Sequence, residues 1–232
     1  MTLSKRTASS THLRRLAAVA VAGAAGTAGL TAASGITTAA SAACSDVDVV
    51  FARGSGELPG LGIVGTPLVS AIRADLPGRS VSAYAVNYAA DLAQTSAGPG
   101  ATDMSNHVRS VAAACPNTAF VLGGYSQGAS VTDIAIGIPT LLGIGGTIPT
   151  SLAPRVKAVV VYGNPLRLYG QTINTASPLY GPKAKEFCNL GDPVCANGFD
   201  VTAHLTYPIN GTVPQGARFA ADRVKAGTSL TR

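Results

Sequence analysis

The chain has 232 residues, 47% of them hydrophobic and only 12% charged, with a formal net charge of +6. Residues 1–43 hold four of the 17 basic side chains and none of the 11 acidic ones, so a chain beginning at Cys44 keeps 189 residues and a balance of only +2. That excess is too small for the basic footprint of a nucleic-acid binder, and the length suits one domain with a full core.

Lys5, Arg6, Arg14 and Arg15 form a basic head; Leu16 to Ala43 is uncharged, rich in Ala, Gly and Thr, and closes on Ala40-Ser41-Ala42-Ala43. This is the layout of a secretory signal with a small-residue cut site, which predicts residues 1–43 as a signal segment and 44–232 as the exported domain. Its Gly, Ser and Thr content argues against a retained membrane anchor, and the Arg14-Arg15 pair alone does not decide the export route. All four cysteines, Cys44, Cys115, Cys188 and Cys195, fall in the exported part, where an even count reads as two disulfides with three connectivities. Cys188 and Cys195 are close enough to staple a small loop, which leaves Cys44 with Cys115 as the simplest pairing. A structural zinc site would ask for two closely spaced Cys pairs, so no metal is expected.

Val47 to Phe51 is an apolar, β-branched run entering Arg53-Gly54-Ser55-Gly56, which predicts a buried strand and a Gly-rich turn. Ile63 to Leu76 reads as a helix with Pro67 near its start and Pro77-Gly78 as its stop, and Val81 to Tyr88 as a second strand. Met104, Val108, Val111, Ala112 and Cys115 share one helical face. Phe120 to Gly123 is a short apolar strand with a helix from Gln127 to Ile136 directly after it, and Val156 to Tyr162 is a further strand ended by Gly163-Asn164-Pro165. Alternating strands and helices predict a mostly parallel sheet covered on both faces. Beyond Gly170 the pattern weakens; Cys188 to His204 reads as loop and Pro214 to Lys225 as a last helix. The uncharged stretch Ile138 to Leu152 reads either as a buried connection or as an apolar rim that touches lipid or polymer.

Gly124-Tyr125-Ser126-Gln127-Gly128 fits the G-x-S-x-G pattern, and its place between a strand and a helix is the setting in which a serine is forced into a tight, exposed turn. A serine hydroxyl needs a base. The exported part offers His107, within the helix before the turn, and His204, far downstream; the order nucleophile, acid, base selects His204. Between Ser126 and His204 the carboxylates are Asp133, Glu186, Asp192 and Asp200. Asp192, inside a Cys-flanked loop with Pro193, has the restriction that an orienting carboxylate needs, with Asp200 its competitor. Donors for a developing oxyanion would be the N–H of Gln127 and Ser55, through its N–H and hydroxyl, with Arg53 and Glu57 shaping the turn.

Phe51-Ala52-Arg53-Gly54-Ser55, the elbow Gly123 to Gly128, and the C-x₃-D-x₂-C loop Cys188 to Cys195 followed by His204 together resemble the cutinase family, in its actinobacterial, mycobacterial-type form. The resemblance runs over essentially all of 44–232. It implies a single-domain α/β-hydrolase, a three-layer sandwich around a mostly parallel sheet without a lid, and a catalytic domain over 44–232. It further implies Ser126, Asp192 and His204 as triad, Ser55 with Gln127 as oxyanion hole, and Cys44–Cys115 and Cys188–Cys195 as disulfides. The expected activity is hydrolysis of short- to medium-chain acyl esters by a secreted, cofactor-free monomer that touches a lipid surface or the cell envelope transiently. Lipase or phospholipase action, cutin hydrolysis, and an idle lipid-binding role are the alternatives. Ser55-Gly56-Glu57, where fungal members commonly carry Thr after the serine, points away from plant cutin.

Overall fold

The computed structural model describes residues 44–228, and the expected signal segment, 1–43, lies outside them. Strands β1 (Val47–Ala52), β2 (Val81–Ala85), β3 (Ala119–Tyr125), β4 (Val156–Tyr162) and β5 (Ala184–Phe187) form one sheet in the order β2-β1-β3-β4-β5, with every neighbouring pair parallel. A parallel sheet needs cover on both faces, and the period of two along each strand supplies it. Val50, Ala52, Leu122, Val159 and Val161 face helices α2 (Ala97–Ala114) and α3 (Gln127–Ala135). Val47, Val49, Phe51, Val121, Val160 and Tyr162 face α1 (Gly62–Asp75) and α6 (Thr212–Thr228). Each such Val, Leu or Phe contributes about 1.5–3 kcal/mol by leaving water, so the two faces fix the strand register and with it the direction of every strand end. The result is a three-layer α/β sandwich in one compact unit.

Three local differences from the sequence expectation have physical reasons. Helix α2 begins at Ala97, two turns before Met104. Gly98-Pro99-Gly100 looks like a breaker, but Pro99 falls in the first turn, where no N–H is needed, and the glycines permit close packing. A Cβ on Gly98 would stand 2.2 Å from the Ile144 carbonyl oxygen, and one on Gly100 2.8 Å from Val131. Strand β5 hides in the sequence because two of its four residues are Lys185 and Glu186, the latter turned inward. The segment read as loop from Cys188 to His204 ends in a short helix, α5 (Val201–Leu205), after the one-turn α4 (Ile173–Ala176) earlier in the same region. The uncharged stretch 138–152 divides: Ile138 and Ile148 are buried, whereas Leu141 and Ile144 are 79% and 94% exposed.

Candidate active site

The carboxyl ends of β1, β3, β4 and β5 lead into the segments that carry the candidate residues, the edge at which open parallel sheets bind ligands. From β3 the chain passes through Tyr125 to Ser126, whose φ of 57° and ψ of −121° are outside the usual range of an L-residue. Strain of this kind costs about 1–3 kcal/mol and persists only where the surroundings impose it. They do so here: Ser126 N–H donates to the Tyr162 carbonyl at 2.9 Å, and the Ser126 carbonyl accepts from Ala129 N–H at 2.9 Å as α3 opens. Strand and helix fold back so tightly that a Cβ on Gly124 would lie 1.9 Å from Gly128 O, and one on Gly128 2.0 Å from Ala52 O. The two flanking glycines are thus demanded by close backbone approach.

The turn after β1 brings Ser55 to the same place. Arg53 donates from Nε to Glu57 O at 2.8 Å and from its terminal nitrogen to Tyr88 O at 2.8 Å, while the Glu57 carboxylate accepts from Gly54 N–H at 2.5 Å and Ile63 N–H at 2.7 Å. In the turn they brace, Ser55 Oγ donates to Gln127 Oε1 at 3.3 Å and accepts from Gln94 Nε2 at 2.8 Å. Gln127 is the first residue of α3, where backbone N–H groups have no intrahelical partner. Gln94, held at a φ of 63°, carries no mark in the sequence that would have singled it out.

On the other side stand Asp192 and His204. His204 Nδ1 lies 2.9 Å from Asp192 Oδ2 and 3.0 Å from Oδ1; Oδ1 also accepts from Val194 N–H at 2.7 Å, and Oδ2 from the Tyr207 hydroxyl at 2.6 Å. Burial by itself raises the Asp192 carboxyl, but the donations from His204, Tyr207 and Val194 outweigh it and hold the group below the ordinary carboxylate range. An ionised carboxylate only accepts, so the nitrogen facing it, Nδ1, carries a proton, and in the neutral ring the lone pair is on Nε2. The His204 ring stacks on Tyr125 at 4.9 Å, Tyr125 donates its hydroxyl to His204 O at 2.8 Å, and a Cβ on Gly163 would lie 2.7 Å from His204 Cε1. His204 is therefore packed against the residue that precedes Ser126. Among the described residues no hydrogen bond joins Ser126 Oγ to His204.

The other candidates have different work. Asp200 is exposed and caps α5, accepting from Thr202 N–H at 2.9 Å. His107 Nε2 meets Asp48 at 2.7 Å and its ring stacks on Tyr84 at 3.6 Å, which ties α2 to the sheet. Asp133 and Glu186 share Asn164, whose Nδ2 donates to Asp133 Oδ1 at 3.2 Å and to Glu186 Oε1 at 3.0 Å. Burial first and the Glu186 charge second push Asp133 well above the usual range, and burial raises Glu186 too. All four cysteines are bonded, Cys44 to Cys115 with Cα atoms 5.6 Å apart and Cys188 to Cys195 at 5.9 Å, the second bond closing a ring around Asp192.

Residues 43–224 match the family described as Cutinase. A cutinase of Kineococcus radiotolerans is 60% identical over 193 residues, 82% of this chain and 66% of that protein, so the match spans just under two thirds of its length. Phospholipase Culp4 of Mycobacterium tuberculosis is 44% identical over 214 residues, covering 91% of this chain and 92% of that one. Among solved structures, Trichoderma reesei cutinase in complex with a C11Y4 phosphonate inhibitor aligns with a TM-score of 0.62 at 29% identity, over 78% of this chain and 77% of its own. The chain belongs to the cutinase family and is, at that level, a serine ester hydrolase.

Proposed function

We propose that residues 44–232 form a secreted esterase that cleaves short- to medium-chain acyl esters, residues 1–43 being a signal removed on export. The observation that carries this reading is the ionised, fully held Asp192 fixing Nδ1–H of His204 beside the strained serine turn. In the scheme, His204 Nε2 takes the Ser126 proton as Oγ attacks the ester carbonyl, and Asp192 stabilises the imidazolium without accepting its proton. The oxyanion forms against Gln127 N–H and Ser55, each donor being worth about 3 kcal/mol in such sites. His204 then protonates the leaving alcohol, and a water activated by the same nitrogen releases the acid. No cofactor enters, and one protomer contains every residue used. Two disulfides suit an oxidising, extracellular setting.

The acyl preference rests on the surface around the site. Leu58 and Leu92 are exposed on the Ser55 side, Leu190 and Phe199 on the loop that carries Asp192, and Val201 and Leu205 on α5 beside His204. A concavity of about 680 Å³ lined by Leu58, Leu61, Ile63 and Pro67 starts two residues after Ser55. Apolar side chains exposed on these segments favour an acyl chain over a sugar or a peptide. The same rim supports a second reading, action on lipid at an interface, in keeping with the relative named a phospholipase.

A p-nitrophenyl ester series from acetate to palmitate, run beside phospholipid, triacylglycerol and cutin, separates these. Each buried methylene contributes up to about 0.8 kcal/mol, close to fourfold in kcat/KM, so activity should climb from acetate towards octanoate and then level. A sharp rise on substrate aggregation with long-chain preference would replace this reading with that of a lipase, and cutin turnover as fast as the soluble esters would replace it with polymer hydrolysis. Absence of both product burst and phosphonate labelling at Ser126 would make the protein an idle lipid binder.

A further inference from the structure

Tyr207 lies three residues beyond His204, just past the end of α5, and is wholly buried. Three groups meet its hydroxyl. Asn189 N–H donates to it at 3.1 Å, Asp192 Oδ2 lies at 2.6 Å, and Cys195 Sγ at 3.5 Å. A phenol has one proton to give. The disulfide sulfur is a weak acceptor with no proton of its own, and Asn189 already fills one lone pair, so the proton points at Asp192. Asp192 Oδ2 is the same oxygen that His204 Nδ1 approaches at 2.9 Å. Phenol and imidazole therefore compete for one carboxylate oxygen.

We propose that Tyr207 is a positioning residue of the ester-cleaving site, pinning Asp192 and drawing charge from Oδ2 so that the carboxylate's hold on the His204 imidazolium is tempered. The inference rests on the reading of Asp192 and His204 as acid and base given above. Donors on one acceptor weaken one another, so removing the phenol proton concentrates carboxylate charge on Nδ1–H. A firmer hold stabilises the imidazolium, and the base then stays protonated, and idle, to higher pH. Burial first, and the bond to Asp192 second, raise the phenol far above its ordinary range, so it remains a neutral donor throughout the working range. The other titratable groups around the pair are Tyr125 from the end of β3 and Tyr162 from the end of β4, both raised by burial, and Asp200 at the α5 cap; Glu57 from the β1–α1 turn acts on Tyr125. None of these donates to Asp192 among the described residues. The ring itself packs edge-on against Tyr125 and Tyr162 at 5.9 and 5.8 Å, contacts that Tyr207→Phe retains.

The test is the pH dependence of kcat/KM on p-nitrophenyl butyrate for the wild type, Tyr207→Phe, and protein carrying 3-fluorotyrosine at position 207, a stronger donor of nearly the same shape. Tyr207→Phe should move the acid limb up by about half a pH unit, roughly a threefold loss below the limb and a smaller one on the plateau, with KM unchanged. Fluorotyrosine should move it down. A uniform loss at every pH with both limbs unmoved, or movement in the reverse directions, would overturn the proposal by reducing Tyr207 to packing. Should Tyr207→Phe fail to fold, the fluorotyrosine profile decides alone. His204→Ala is measured alongside: full turnover there sinks the acid–base reading and this proposal with it, whereas an inactive His204→Ala with unmoved limbs sinks this proposal only.

Discussion

Replacing Asp192 by Asn changes one atom type at a site where every acceptor is in use. The carboxylate takes Val194 N–H at 2.7 Å, His204 Nδ1 at 2.9 and 3.0 Å, and the Tyr207 hydroxyl at 2.6 Å. An amide offers one oxygen and one NH₂. With the oxygen turned to Val194, the NH₂ faces His204 Nδ1, which must then accept; the ring proton moves to Nε2, and the nitrogen that the proposed mechanism uses as base loses its lone pair. With the oxygen turned to His204, Val194 N–H meets another donor and the loop is pushed apart. Either orientation removes the charge that supports the imidazolium, and the loss expected for the wrong tautomer is about 10³–10⁴ in kcat, or about 4–5.5 kcal/mol of transition-state stabilisation. Stopped-flow release of p-nitrophenol separates acylation from deacylation, and both phases should slow. Asp200→Asn is the matched control: an Asn oxygen caps the exposed helix end as well as an Asp does, so stability should change by only about a few tenths of a kcal/mol and the rate should stay within a few-fold. Asp192→Asn within tenfold of wild type, with Asp200→Asn collapsed, would refute the assignment of the acid.

Gly128→Ala should prevent folding or abolish soluble expression, since its Cβ would lie 2.0 Å from Ala52 O; a soluble, active variant on gel filtration would show that the elbow yields. Cys188→Ser with Cys195→Ser should cost about 2.5 kcal/mol in denaturant melts against about 4.4 for the 71-residue Cys44–Cys115 link, yet reduce kcat more, because the small ring holds Asp192; full activity in the folded double variant would contradict this. Asp133 and Glu186, raised in the fold, lend stability that is complete below their unfolded values near about pH 4 and is lost as pH climbs through the raised ones. Asp133→Asn should therefore flatten the fall in Tm from pH 5 to pH 8, and an unchanged slope by scanning fluorimetry would count against that charge pair.

The central sheet was legible because Val47 to Phe51 and Val156 to Tyr162 are near-continuous β-branched runs, and the serine turn because glycine is the only residue that fits beside it. The region after Gly170 was not. Strand β5 spends two of its four positions on Lys185 and Glu186, and α5 is a single turn, too short for any periodicity. Spacing likewise leaves Asp200 a rival of Asp192; only the direction of its side chain, towards Thr202 N–H, distinguishes a helix cap from an orienting acid. Tyr207 belongs to no motif, and nothing in sequence reveals that its hydroxyl lands on a carboxylate. Gln94 sits in an irregular loop, where the contact to Ser55 depends on a left-handed backbone that no local pattern announces.

Tyr162, Gly163 and Asn164 are consecutive at the end of β4, and each touches a different party. Tyr162 O holds the backbone of Ser126, Gly163 lies under the His204 ring, and Asn164 clasps buried Asp133 and half-buried Glu186. Ser126 and His204, which come from segments almost eighty residues apart, are thus both referred to one tripeptide. A twist or breathing of the sheet displaces the two together, as a common-mode error that cancels in their separation. Alignment of the reacting atoms then tolerates flexing of the whole far better than a change at this shared datum, where a single added methyl on Gly163 would shift one partner and leave the other in place.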